Sequence, residues 1–545
     1  MLRRLLFAVS ALTAVTRAED VFEPDDFDIA KALLDRGVDT ATIPELQNVQ
    51  DHPSRQLPHV ACSLACNALD NIYGTDQLLK SDNAEFIAFN SGYWSQQQAL
   101  AKPACVFRPE NADAVSVVVL ISRLTTCPFA VKSGGHAAFT GGSNIPDGIT
   151  VDFSRMNEVK LSEDKKIASV QPGNTWSRTY AELAKDDMVV IGGRVQNIGV
   201  GGLTTGGGIS FFAGLHGWAV DNVASYEVVT AQGSIVTASP DSNPDLYWAL
   251  RGGGNNFGIV VRFNYEAYPL PGNEIWGGTK QYMEPAFPAV IEAWHNTVNN
   301  APSDPNAGGW CAFILYNNTP IVGQELYYTR PDGNNATIFD EYKPIQPMIS
   351  DTTQNRNLVD YTVSLQVVQP YGLRELYAVI TIKNDYELLL FAKDVFFEKI
   401  PDAANAPGSL PVLIFQSISV PILEKMQKNG GNPLGLKVED GPFMMVQMSV
   451  WWADAKDDDL IYKSTSDILG AIKAESKSRG KDADYVYMNY AAPFQDVIAG
   501  YGEENKNKLK DIAKKYDPKM VFQELQPGYF KLDRAAMPDS PYFKW

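Results

Sequence analysis

The line Gly199-Val200-Gly201-Gly202-Leu203-Thr204-Thr205-Gly206-Gly207-Gly208 decides the fold, because six of its ten residues are glycine. Tight turns alone do not need that density. Strand ends that dissolve into glycine let backbone N–H groups face a concavity and approach a pyrophosphate closely. A second line of this kind, Lys132-Ser133-Gly134-Gly135-His136, is followed by Gly141-Gly142. The Gly-x-Gly-x-x-Gly spacing of a Rossmann site occurs at neither line, nor at Gly252-Gly253-Gly254-Asn255-Asn256-Phe257-Gly258, and no Walker A loop is present. A dinucleotide is therefore expected in a different architecture.

The surrounding chain is that of a large globular protein. It has 545 residues, 45% hydrophobic and 20% charged, which predicts more than one subdomain. The formal net charge is -18. A surface that negative repels phosphate backbones, so nucleic acid is excluded as a partner, and a bound dinucleotide must be held by amides rather than by Lys and Arg. Arg3 and Arg4, the apolar run 5–15 and Thr16-Arg17-Ala18 read as an export signal over 1–18. No stretch is long enough to cross a membrane. Export makes two disulfides the expected state of Cys62, Cys66, Cys105 and Cys127, with the connectivity open and Cys311 left as a buried thiol. Asn317 and Asn335 stand in glycosylation triplets.

Residues 19–60 are polar with scattered proline and read as an arm over something larger. A helix is predicted over 60–73, strands over 129–132, 149–153 and 167–171, a helix over 175–185, and a hairpin pairing 226–231 with 234–238 about Gln232-Gly233. From 273 to 480 the glycines thin out. Strand-like runs appear at 361–368, 377–382 and 443–452, with helices at 289–298 and 460–476. A charged helix over 506–515 follows a polar-aromatic segment.

The order of segments resembles the berberine-bridge-enzyme-like branch of the vanillyl-alcohol oxidase/p-cresol methylhydroxylase (PCMH-type) flavoproteins. The matching pieces are the two glycine lines, Gly217-Trp218-Ala219-Val220-Asp221-Asn222, the stretch from Asn243-Pro244-Asp245 through Arg251-Gly252-Gly253-Gly254, Asn256-Phe257-Gly258-Ile259-Val260, and near the end Tyr487-Met488-Asn489-Tyr490 with Lys515-Tyr516-Asp517-Pro518. The resemblance is nearest to secreted fungal members. It implies an α+β chain: a two-part FAD-binding PCMH-type domain at 61–272, completed by 481–545, with an α+β substrate domain inserted at 273–480.

It also implies FAD joined through its 8α position to His136. Ser133, Gly134, Gly135, Gly141, Gly201, Gly202, Thr205, Gly206, Gly207, Gly217, Asp221, Asn222, Gly258, Val260 and Asn489 are the further cofactor residues. Many relatives carry a cysteine where Val195 stands, four residues before Gly199, and valine forms no thioether, so a single covalent bond is expected.

Tyr487, Asn489 and Tyr490 are the candidate catalytic residues. On an extended segment 487 and 489 face one way and 490 the other, so either set could meet the ring. Glu325, Tyr327 and Gln447 are the polar groups considered as a base, each expected to be structural. The expected reaction takes a hydride from an alcohol, phenol or related carbon of a small molecule, with O2 reoxidising the flavin to give H2O2. A tailoring oxidation coupled to cyclisation or dearomatisation, a carbohydrate oxidase and a non-catalytic flavin-binding protein are the alternatives. No metal and no protein partner are expected.

Overall fold

The computed structural model describes residues 22–51 and 58–545, so the export signal with its cleavage point and the first residues of the arm lie outside the described residues. The rest of the arm is not a plain extended strap. It carries the short helices Ile29–Leu34 and Pro44–Asp51, and Glu23 forms a buried ion pair with Arg123 at 2.8 Å.

Three sheets organise the described residues. In the first, Cys105–Phe107 and Phe129–Lys132 both run parallel to Ile149–Asp152. The helix Ala112–Thr125 connects the first two. Asn111 caps it by accepting from the Ala114 amide, and it is buried on nearly every side, as its run of valines requires. Two disulfides fix this layer: Cys62–Cys127 and Cys66–Cys105 tie the helix Pro58–Tyr73 to it. Cys311 is a buried free thiol.

The second sheet is antiparallel and centres on the long strand Ile259–Pro269, which pairs with Val223–Val229, Ile167–Val170 and Met188–Val190. The expected hairpin about Gly233 forms its edge. Its core closes around a fully buried ion pair, Arg251 to Asp221 at 3.1 Å.

The third sheet has nine strands, all antiparallel, between Glu274 and Ala483. Period-two alternation gives it two different faces. Cys311, Phe313, Leu413, Phe415, Val446 and Met448 pack into one cluster with the helices Phe287–Asn300, Tyr386–Lys399 and Asp458–Ser478. Trp310, Ala312, Ile414, Gln416, Gln447 and Ser449 alternate with them and line a cavity. Register joins the two rows, with Trp310 opposite Gln416 and Ile414 opposite Gln447.

One strand reading is corrected. Residues 361–368 are not a strand: Leu358–Gln366 is a helix. Asn357 caps it by accepting from the Val359 amide, and Leu358, Tyr361 and Thr362 are buried at helical spacing. The β-branched residues that suggest a strand, Val363 and Val367, point to solvent instead.

Candidate functional site

The two glycine lines meet backbone to backbone. A Cβ on Gly134 would lie 2.3 Å from the Gly199 nitrogen, and one on Gly199 would lie 2.1 Å from the Gly134 nitrogen. Only glycine fits either position. Ser133 pins the contact, its Oγ accepting from the Gly201 amide at 3.0 Å and donating to the Pro172 carbonyl. We expect Gly134→Ala to push the loops apart. The cost is about 1–3 kcal/mol of stability and most of the bound cofactor, read from the melting temperature and from the flavin-to-protein absorbance ratio.

The loops form one wall of a cavity of about 460 Å³, and the nine-stranded sheet forms the other. Among the expected cofactor residues, Ser133, Gly134, Gly135, His136, Gly201, Gly202, Thr205, Gly258, Val260 and Asn489 line it. Gly141, Gly206, Gly207, Gly217, Asp221 and Asn222 do not line it. Asp221 is spent on Arg251 and on the Trp218 amide. The Asn222 side-chain amide bonds the His216 and Trp218 carbonyls. Gly217 takes φ +86 beside Asp221, and Gly141 takes φ +89 near Gly528. Gly206 and Gly207 lie behind the wall, where a Cβ would strike Asn489 and Tyr487.

His136 is stacked on Trp94, with ring centroids 3.9 Å apart and planes 12° from parallel. Burial pushes its pKa down to about 4, so the imidazole is neutral at physiological pH with a free lone pair. Its Nε2 is shielded from solvent and has no hydrogen-bond partner. A neutral imidazole among the cavity-lining residues, beside a cradle that side chains would fill, fits a dinucleotide flavin.

The closing segment is a turn and not extended. Met488–Tyr490 is one 3₁₀ turn, with the Tyr490 amide donating to the Tyr487 carbonyl at 3.0 Å. The turn brings the two tyrosine rings edge to face at 4.8 Å instead of placing them on opposite faces. Their roles still separate. The Tyr487 oxygen accepts from the Gly208 and Ile209 amides at 3.1 and 3.2 Å and from Asn489 Nδ2 at 3.0 Å. Asn489 Nδ2 also donates to the Leu203 carbonyl at 2.9 Å. These two residues lock the second glycine line, and burial pushes the Tyr487 phenol well above its usual range. Tyr490, half-buried, accepts instead from Arg194 Nη2 at 3.0 Å.

Arg194 is a cavity residue that the sequence reading passed over, although it adjoins Val195, which also lines the cavity. Its Nη2 donates to Gln416 Oε1 at 2.6 Å, and its guanidinium lies 4.5 Å from the centre of the Trp310 ring. Gln416 Nε2 donates in turn to Gln447 Oε1 at 2.9 Å. Of the base candidates, Glu325 lines the cavity but its oxygens are taken up by Tyr361 and Thr279, and burial pushes its carboxyl pKa up. Tyr327 is buried edge-on against Phe211 and lies outside this cavity. The signal that could have found Gln416 and Gln447 is a lone polar residue within each of two otherwise apolar strand runs, Leu410–Ile418 and Phe443–Trp452.

Glu375, near Tyr377 on the strand Arg374–Lys383, is a second buried acid. Neither carboxyl oxygen has a hydrogen-bond partner, and burial pushes its pKa up to about 9. The folded chain therefore holds a proton that the unfolded chain releases. The stability this contributes is complete below about pH 4.5 and falls progressively as pH rises to about 9. Glu375→Gln is expected to raise the melting temperature at pH 8 and to flatten its decline between these limits, as measured by calorimetry across pH.

Residues 103–239 match the family model described as an FAD binding domain. Over 493 residues the chain is 36% identical to the FAD-dependent monooxygenase tpcD of Cochliobolus heterostrophus, an alignment covering 87% of this chain and 94% of that protein. It is 31% identical over 470 residues to the bifunctional solanapyrone synthase of Alternaria solani, covering 86% of this chain and 89% of that protein. Among solved structures, a variant of berberine bridge enzyme in complex with (S)-reticuline superposes with TM-score 0.69 at 16% identity, over 84% of this chain and 97% of that one.

Proposed function

Because the chain belongs to the berberine-bridge-enzyme-like FAD-linked oxidoreductases, we propose that it oxidises a small, planar, largely apolar organic molecule as a biosynthetic tailoring step, with its FAD tethered through His136 alone. The observation that carries this reading is the cavity itself: Ala312, Ile314, Val412 and Ile414 make much of the sheet wall apolar, and its polar groups gather near Arg194, which joins Tyr490 and Gln416. An oligosaccharide presents hydroxyls on every side and would leave those that meet Ala312, Ile314, Val412 and Ile414 unpaired. Two relatives named as a monooxygenase and a synthase support tailoring over sugar oxidation.

FAD, when bound, supplies the two-electron acceptor. The chain's residues do the rest. Arg194 can only donate, so the Tyr490 oxygen accepts from it and the phenolic proton is left free to point into the cavity. From there Tyr490 donates to a substrate hydroxyl or carbonyl oxygen and holds it in place. Tyr487 and Asn489 hold the glycine wall in place. Val195 offers no sulfur for a second attachment. The two disulfides support export of the protein.

A panel of phenols, alcohols, sugars and polycyclic ketones, incubated in air with the purified protein, tests the proposal. Oxidase chemistry yields a product lacking two hydrogens and one H2O2 per turnover. Monooxygenase chemistry adds one oxygen atom to the product. Flavin that no compound in the panel reduces would favour a non-catalytic binding protein.

A further inference from the structure

Arg194 is a buried cation without an ion-pair partner. It is 9% exposed, yet no ion pair among the described residues includes it. The other deeply buried arginines are all paired, Arg251 with Asp221, Arg123 with Glu23 and Arg374 with Asp458. Glu325, on the same cavity, forms no ion pair with Arg194; its carboxyl oxygens accept from Tyr361 and Thr279. Both partners of Arg194 are neutral, Gln416 Oε1 and the Tyr490 hydroxyl, and both use Nη2, so Nε and Nη1 make no hydrogen bond. The contact of Gln416 with Gln447 turns its oxygen toward Arg194, which holds the guanidinium still without neutralising it. The Trp310 face steadies it from one side.

Desolvating a charge is costly unless something opposite repays it. We propose that the repayment comes from the substrate: Arg194 recognises a delocalised oxyanion, a carboxylate or the enolate or phenolate of an acidic enol or phenol, carried on the planar molecule that is oxidised. This inference rests on the tailoring-oxidase reading and narrows its substrate class. Charge-assisted N–H donors suit such anions, and Nε and Nη1 are the two left to meet their oxygens. With the anion seated at Arg194, Tyr490 is beside it, so the oxyanion also sets which carbon of the substrate faces the glycine wall.

Matched probes test the charge without requiring turnover. The flavin-loaded protein is titrated by calorimetry with benzoate and benzamide, and separately with 4-nitrophenolate and 4-nitroanisole. At least one anion should bind about tenfold or more tighter than its neutral partner, and the pair that discriminates identifies carboxylate or phenolate as the chemistry. Arg194→Gln should erase that preference. Gln416→Glu gives Arg194 a carboxylate within the protein, so it should erase the preference too; this keeps the test valid if the arginine variant folds poorly. Equal affinities in both pairs, no binding of any probe, or a preference that survives Gln416→Glu would overturn the proposal. Selective anion binding by a protein that oxidises nothing would sink the enzymatic reading alone.

Discussion

Acid precipitation of the His136→Ala variant should release all of its flavin into the supernatant, whereas the wild-type pellet stays yellow with one flavin on the peptide containing His136. The imidazole at the cavity wall is neutral, stacked on Trp94 and lacks a partner at Nε2, the state a nitrogen needs to form a bond to carbon. No flavin should be found on the peptide containing Val195, since valine has no group to offer. The variant should still fold, because the ring contacts only Trp94 among the aromatic side chains. Its turnover should fall by about tenfold, since a shift of about 30 mV in a two-electron couple is already worth that factor. Free FAD from precipitated wild-type protein would refute the linkage whatever the substrate is.

Tyr490→Phe should lower kcat/KM by about 10–100-fold, the loss of one buried hydrogen bond to the substrate oxygen. Flavin content should be unchanged, because the glycine wall is locked by Tyr487 and Asn489 and not by Tyr490. Phenylalanine keeps the edge-to-face contact with Tyr487 and removes only the oxygen that accepts from Arg194. Rapid mixing without oxygen separates the outcomes: the slow step should be flavin reduction by substrate. A variant whose reduction rate matches wild type would remove Tyr490 from the chemistry and leave it as packing. Tyr487→Phe provides the contrast, since losing three donors' acceptor should disturb cofactor binding and stability first.

The FAD-binding half was legible because its signals are local and covalent. A glycine where two backbones nearly touch cannot be another residue, so Gly134 and Gly199 announce the contact in the sequence. Four cysteines close together in a chain read as exported announce two crosslinks, although only the folded positions of Cys62, Cys66, Cys105 and Cys127 decide who pairs with whom. The helix Leu358–Gln366 was not legible, because a run of tyrosine and β-branched residues suits a strand until a cap and a packed face choose otherwise.

Residue order was enough to reveal glycine loops suited to a flavin dinucleotide, a histidine at 136 on one of them, no sulfur at 195 and a closing segment with Tyr487, Asn489 and Tyr490. Folding had to settle which residues of that segment lock the wall and which one meets Arg194, because a turn and not a strand sets their directions. Folding also brought Arg194 to Gln416 and Tyr490, 222 and 296 residues away along the chain, with Gln447 beside them. The reason is physical: strand register selects which side chains share a face, and burial selects which charges go unanswered. Neither quantity exists until the chain has folded.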